Sequence, residues 1–415
     1  MSLIGKRYTI LISLTLFLAT CLWSAEATSY PSLRNSRILG GLAGGLIEAL
    51  GPSVVFESFP EHQLARAMAV YVGHLAAGSS LGPLVAGAVA KGLNDWRWYL
   101  RILAVVIALN LVGSIIMLPE TTHDAGEAAE SLRRGDESSK PVQSATEDIN
   151  SAVADAFVST PESTVASQSL REQWLARSFS LKYVHLDWRL ALHSFYQPLL
   201  LIILPEVLVT TLVFGLTIGW TVLISNILAI KYGQPPLLWG PLPIGLMSIG
   251  PLAGLLIGMP FGGALADYLF NRATRRSGGN LDHAARLPAV LIGAVVSPAG
   301  CLVLGFGLRN PSQWAPIAFG WAMLSFGLTG SANVLLTYAV DTAPARATHI
   351  GALINLTKNS LAFGVSYTSV SWMEGMGPVA QFGIMAGLLW LVYLLVIPVW
   401  LYRVMVKRKT STTFG

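Results

Sequence analysis

Uninterrupted apolar runs, each of about 20 residues or more, recur along nearly the whole chain, and nothing else in the sequence limits its fold so strongly. Lipid supplies no hydrogen bonds, so a run of that length is stable across a bilayer only as a helix. The runs are too long and too uniformly apolar for barrel strands, which alternate at every second residue. Ten spans are predicted, at 8–27, 37–58, 67–90, 99–118, 199–229, 241–266, 288–308, 315–340, 348–371 and 380–402. Composition agrees: 53% of residues are hydrophobic and 12% charged, where a soluble domain has about 25% charged. The expected class is an all-α polytopic membrane protein.

Orientation follows from Lys and Arg, which are retained on the cytoplasmic side during insertion. With the N-terminus inside, most of the 27 basic residues fall in inner segments. They include Lys6, Arg7, Arg66, Arg133, Arg134, Arg272, Arg286, Arg346 and Lys407. The basic residues are spread among short loops rather than gathered in a patch, so the net charge of +5 is a topology signal and no nucleic-acid partner is expected. Residues 121–195 are rich in Ser, Thr, Glu and Asp and have too little apolar content for a core. They are expected to be a largely disordered cytoplasmic linker between four spans (1–120) and six (196–405), with a tail at 406–415. Within the linker, 173–192 regains aromatic residues and is expected to lie as an amphipathic helix on the inner surface. An alternative remains at the N-terminus, where Lys6, Arg7, an apolar run and Ala25-Glu26-Ala27 also fit a cleaved leader.

The densest motif is Gly78-Ser79-Ser80-Leu81-Gly82-Pro83-Leu84-Val85-Ala86-Gly87. Gly78 and Gly82 lie one turn apart, which lets two backbones touch, and Pro83 adds a bend. This resembles the antiporter signature G-x-x-x-G-P-x-x-G-G of the drug:proton antiporter branch of the major facilitator superfamily, with Ala86 in place of the first of the final glycines. Arg37-Ile38-Leu39-Gly40-Gly41 is similar to the R-x-x-Q-G opening of that family's fourth helix, with Gly40 where glutamine is usual. Trp96-Arg97-Trp98 and Leu118-Pro119-Glu120-Thr121 resemble the boundaries of its sixth helix. Gly263 and Asp267, followed by Arg272, Arg275 and Arg276, resemble its G-x-x-x-D loop motif, in which an acid among arginines clamps neighbouring helices in one state. Gly330-Ser331-Ala332-Asn333, Tyr338-Ala339-Val340-Asp341 and Lys358-Asn359 look like a fungal group within the branch. The resemblance implies a two-lobed helix bundle. Gly5-Lys6-Arg7 resembles the tail of the first-lobe loop motif, which places the family's first two helices before this sequence.

Gly250, Gly254, Gly258 and Gly262 form a stripe of period four, and the resemblance implies that it slides against Gly78 and Gly82 of the other lobe. Ionisable groups inside a membrane are costly and mark pathways. Glu48, Glu206 and Lys358 are such groups, with Glu48 the favoured proton or cation site and Lys358 a partner of either acid. Asn355, Lys358 and Asn359 share one helical face, and Asn333 and Tyr338 put polar groups on the preceding span. These faces are expected to line a water-filled cavity.

The seven histidines match no metal-ligand spacing, Cys21 and Cys301 are placed as packing residues, and no phosphate loop or nucleophile elbow occurs. Neither an enzyme nor a metal or cofactor is expected. Asn355-Leu356-Thr357 fits a glycosylation acceptor but falls within a span. The family resemblance implies a monomeric alternating-access carrier that exports small organic molecules against protons, in the cell membrane or a vacuolar membrane. Two other readings stay open: uptake of organic cations or polyamines, and a remnant that does not transport.

Overall fold

The structure is a computed structural model that describes residues 6–59, 61–118, 198–276, 283–342 and 346–401. The expected linker and tail lie outside the described residues, as do Pro119, Glu120 and Thr121 of the second helix-boundary motif. All described elements are helical. The long helices are α1 (Lys6–Ala25), α2 (Tyr30–Ser58), α3 (Leu64–Leu93), α4 (Arg97–Met117), α5 (Pro205–Gly233), α6 (Pro241–Arg276), α7 (His283–Gly307), α8 (Trp314–Thr342), α9 (Ala347–Met376) and α10 (Pro378–Leu401). Among the described residues, nine are long and apolar enough to cross a membrane. The exception, α9, has the length at 30 residues, but Asn355, Lys358, Asn359 and Ser360 give it a polar face.

Local chemistry sets the ends. α2 starts earlier than the 37 expected because Ser29 caps it, accepting from the Ser32 N–H at 3.4 Å, and Pro31 occupies its first turn. Gly377, at φ 80°, makes the turn from α9 to α10, a conformation costly for any residue with a Cβ. α6 and α8 each contain a π turn, at Phe261–Leu265 and Leu328–Ala332. The first follows Pro260, which has no N–H to continue the ladder.

α1 packs on α2 and α4. Arg7 donates to the Ile115 carbonyl at 2.8 Å, the Ser13 hydroxyl donates to Ala43 O, and the Cys21 thiol donates to Leu100 O at 3.4 Å. In the second group, α8 is the centre: 94% of its most apolar stretch is buried, against 17% for α4, whose sides are left for lipid. This placement overturns one expectation. Asn333 and Tyr338 are fully enclosed side chains of α8, not cavity walls.

Two seams join α1–α4 to α5–α10: α3 against α6 and α8, and α2 against α9. In the first, a Cβ on Gly87 would lie 2.5 Å from Pro241 O, one on Gly245 2.6 Å from Pro83 O, and one on Gly263 3.0 Å from the Ala69 Cβ. The stripe Gly250, Gly254, Gly258 and Gly262 faces elsewhere, against the α8 backbone at Ala318, Ala322, Phe326 and Thr329. Gly78 meets open space and Gly82 only the Tyr99 hydroxyl. The expected sliding contact of the stripe on Gly78 and Gly82 is therefore corrected: the stripe secures α6 to its own group, and Gly87, Gly245 and Gly263 make the seam. Gly87→Ala should cost about 1–3 kcal/mol because a backbone carbonyl cannot move aside as a side chain can, whereas Gly78→Ala should behave as wild type. Thermal unfolding of the two purified variants checks this; equal midpoints would contradict the assigned seam.

Candidate functional site

The second seam carries the charge. Glu48 on α2 and Lys358 on α9 form an ion pair with Oε2 and Nζ 2.8 Å apart. Two backbones come close beside it, since a Cβ on Gly351 would lie 2.8 Å from Ala49 O. The Tyr71 hydroxyl of α3 donates to the Glu48 carbonyl at 3.3 Å. Of the two acids open as partners of Lys358, Glu48 is the one that pairs with it. Glu206, buried at the start of α5, does not.

Glu48 stands at the floor of a cavity of about 580 Å³. Its walls mix polar, small and apolar groups: Phe17, Thr20, Cys21 and Ser24 from α1, Ser36, Arg37 and four glycines from α2, Leu103 from α4, and Asn359 from α9. The local sequence makes this space. A Cβ at Gly41, Gly44 or Gly45 meets nothing within 4 Å, so α2 presents a bare backbone above the carboxylate. In the orientation expected from the basic residues, Ser24 and Arg37 lie toward the outer ends of their helices, and the cavity runs from there to Glu48. A neighbouring cavity of about 500 Å³ shares Gly45 and Asn359 and adds Asn355. Of the polar face of α9, Asn355 and Asn359 line cavities and Lys358 does not. A cavity of about 620 Å³ lies between α6 and α8; it is lined by apolar side chains such as Trp239, Trp314 and Phe319 and contains no ionisable group.

A second cluster ties the halves together at the inner ends. Asp267 of α6 is fully buried and accepts from the backbone N–H groups of Ala65 and Arg66 at 3.2 and 3.0 Å. These belong to the first turn of α3, where N–H groups lack helical partners and the dipole favours an anion. Arg66 Nε and the fully buried Arg286 guanidinium each stand 3.7 Å from the carboxylate. Arg286 also pairs with Asp341, whose Oδ2 is 3.3 Å from His283 Nδ1, and lies 4.1 Å from the centre of the Phe270 ring. Asn333 bridges the same seam, donating to Ala65 O at 3.3 Å and to Gly262 O at 3.0 Å.

This arrangement corrects the loop-motif reading. Asp267 is a clamp, but the expected arginines are not its partners: Arg272, Arg275 and Arg276 are exposed, and Arg272 donates to the Tyr268 hydroxyl at 3.3 Å. Arg286 and Arg66 do that work. The missed residues are Arg286, Asp341 and His283, and they carried a readable signal: an arginine and an aspartate beside apolar spans are affordable only as partners.

Two groups of helices meet at an ion pair, with a cavity beside it and a separate acid-based clamp at one end of the bundle. The profile of the Major Facilitator Superfamily matches residues 1–367 of the chain. The chain belongs to that superfamily. Its similar relatives include a protein named probable efflux pump mfs2 of Aspergillus flavus, 24% identical over 373 residues that cover 90% of this chain and 80% of the relative. Another is the MFS antiporter QDR3 of Candida albicans, 21% identical over 464 residues, covering 93% and 66%. The human organic anion transporter MFSD10 shares the fold at a TM-score of 0.56 and 20% identity, over 95% of this chain and 78% of its own. This facilitator is an integral membrane transporter of fungal type and not an enzyme.

Proposed function

We propose that this transporter exports small organic molecules in exchange for protons, by alternating access between the helix groups α1–α4 and α5–α10. The observation that carries the reading is the Glu48–Lys358 pair, which crosses from one group to the other at the floor of the outer cavity. A proton that descends the cavity neutralises Glu48 and removes its attraction for Lys358. The α2–α9 seam is then free to part, and the α3–α6 seam with the inner clamp at Asp267 remains as the tie. Once the inner side opens, Glu48 releases its proton to the cytoplasm and the substrate enters from there. Asn359 in the cavity of Glu48 and Asn355 in the neighbouring one offer it polar contacts. Export rather than uptake is supported by the antiporter signature around Gly82 and Pro83 and by the names of the fungal relatives. The cell membrane is the proposed location.

The test is reconstitution of the full chain in liposomes loaded with a fluorescent substrate probe. Acidifying the side that corresponds to the cell exterior should drive the probe out of the cytoplasmic side, and an ionophore that collapses the proton gradient should stop it. Flux equal to that of empty liposomes would contradict the carrier reading and leave the non-transporting one.

A further inference from the structure

Three arginines of the loop motif are left over by the Asp267 clamp. Arg272, Arg275 and Arg276 are exposed, and the bond from Arg272 to the Tyr268 hydroxyl stays within the helix. Tyr268 and the three arginines form one stripe along the last turns of α6, and the buried Asp267 and Phe270 mark the opposite face. α6 has 36 residues and a length of about 54 Å, against about 40–45 Å for a bilayer with its headgroups. Its polar residues gather in the last six, Asn271 to Arg276. That end therefore takes up the excess length and carries the stripe past the headgroups into water.

We propose that this stripe is the docking surface for residues 120–162 of the same chain. The segment holds ten Asp and Glu, of 22 in the whole chain, against two Arg and one Lys. The chain leaves the helices at the end of α4 and rejoins them at α5, and both points lie at the stripe's end of the bundle. Asn271 donates to the His62 carbonyl at 3.5 Å, which sets the stripe beside the start of α3. α4 runs back along α3 and so finishes on that side. α6 starts beside Gly87 near the far end of α3, so α5, which leads into it through a short turn, starts on the near side. The 43 residues of the segment reach about 140 Å when fully extended. Tethering makes the encounter intramolecular, which raises the local concentration of carboxylates at the stripe. Guanidinium groups one turn apart offer several carboxylates charge-assisted hydrogen bonds at once. The docked segment leaves Arg66 and Arg286 to Asp267, and its contact with the stripe does not depend on which molecule the carrier moves.

The test places a photo-reactive benzoylphenylalanine at position 268, inside the stripe, in the full chain held in nanodiscs of phosphatidylcholine. Illumination, digestion and mass spectrometry then locate the new bond. The main product is expected within 120–162. Its yield is expected to fall several-fold between about 0.1 M and about 1 M salt, as the screening length shrinks from about 10 Å to about 3 Å. Arg272→Glu, Arg275→Glu and Arg276→Glu together are expected to abolish the product. Adding Glu127→Arg, Glu130→Arg, Asp136→Arg and Glu137→Arg is expected to restore it, because the opposite charges then face each other. The salt series uses the chain with its arginines intact, so it decides the matter even if the charge-reversed protein does not fold. No product, a product outside 120–162, a yield indifferent to salt, or a folded charge-reversed protein that cross-links as before would overturn the proposal. Replacement of the product by cross-links to phosphatidylserine, once that lipid is added to the nanodiscs, would overturn it too and assign the stripe to the bilayer surface.

Discussion

Glu48→Gln reduces proton-driven flux to that of empty membranes, while gradient-free exchange of labelled for unlabelled substrate persists. Glutamine keeps the shape of the side chain and removes its proton chemistry, so a carrier that reads the gradient through Glu48 loses the gradient and not the pathway. The substitution also leaves the Lys358 ammonium buried without its counter-charge, at about 3–5 kcal/mol. Combining it with Lys358→Gln should restore most of that stability, because both charges are then gone, and should not restore coupling. Thermal unfolding and flux measured on the single and double variants separate the two effects. Full proton-driven flux in Glu48→Gln would remove Glu48 from the coupling step.

The other large effect is expected at the inner clamp. Asp267→Ala removes two backbone hydrogen-bond acceptors for the start of α3 and one of the two carboxylates that face Arg286. The guanidinium cannot turn to water, since its side chain is fully buried. A loss of about 3–5 kcal/mol is expected, more than the steric cost assigned to Gly87→Ala. Asp267→Asn still offers an oxygen to one N–H and should lose less. The unfolding midpoint of each variant checks the order. Transport should distinguish them too, because a weaker clamp favours the inward-open form and slows return. An Asp267→Ala protein as stable as wild type would mean that the α3 start is held by other contacts.

The helices were legible because each apolar run is set by a local pattern that lipid turns into an obligatory helix. Their ends followed caps and turns, such as Ser29 and Gly377, which hydropathy alone does not register. The Glu48–Lys358 pair was half legible: the cost of each charge marked it, but Glu206 was an equal candidate partner until α2 and α9 were seen side by side. Asn333 and Tyr338 were misplaced for a related reason. Sequence identifies a polar residue in a span without saying which helix is central, and α8 turned out to be enclosed on nearly all sides. The glycine stripe of α6 had the right chemistry and the wrong partner. Period four makes a helix face smooth, and only the packing says that Ala318 and Ala322, rather than Gly78, lie against it. Asp267 was recognised, whereas Arg286 arrives from a different helix, beyond the reach of any short motif.

Alternating access is tested most directly by two distances measured in one preparation. Spin labels at the exposed positions Gln63 and Arg276 span the inner ends of the two groups, and labels at Asn94 and Arg309, also exposed, span the outer ends. Pulsed dipolar spectroscopy in nanodiscs then compares neutral with acidic pH. The expected result is opposite motion: on acidification the inner distance lengthens and the outer one shortens, and in Glu48→Gln both stay at their acidic values whatever the pH. Inner and outer distances that do not change, or that change in the same direction, would contradict a proton-released rocking carrier.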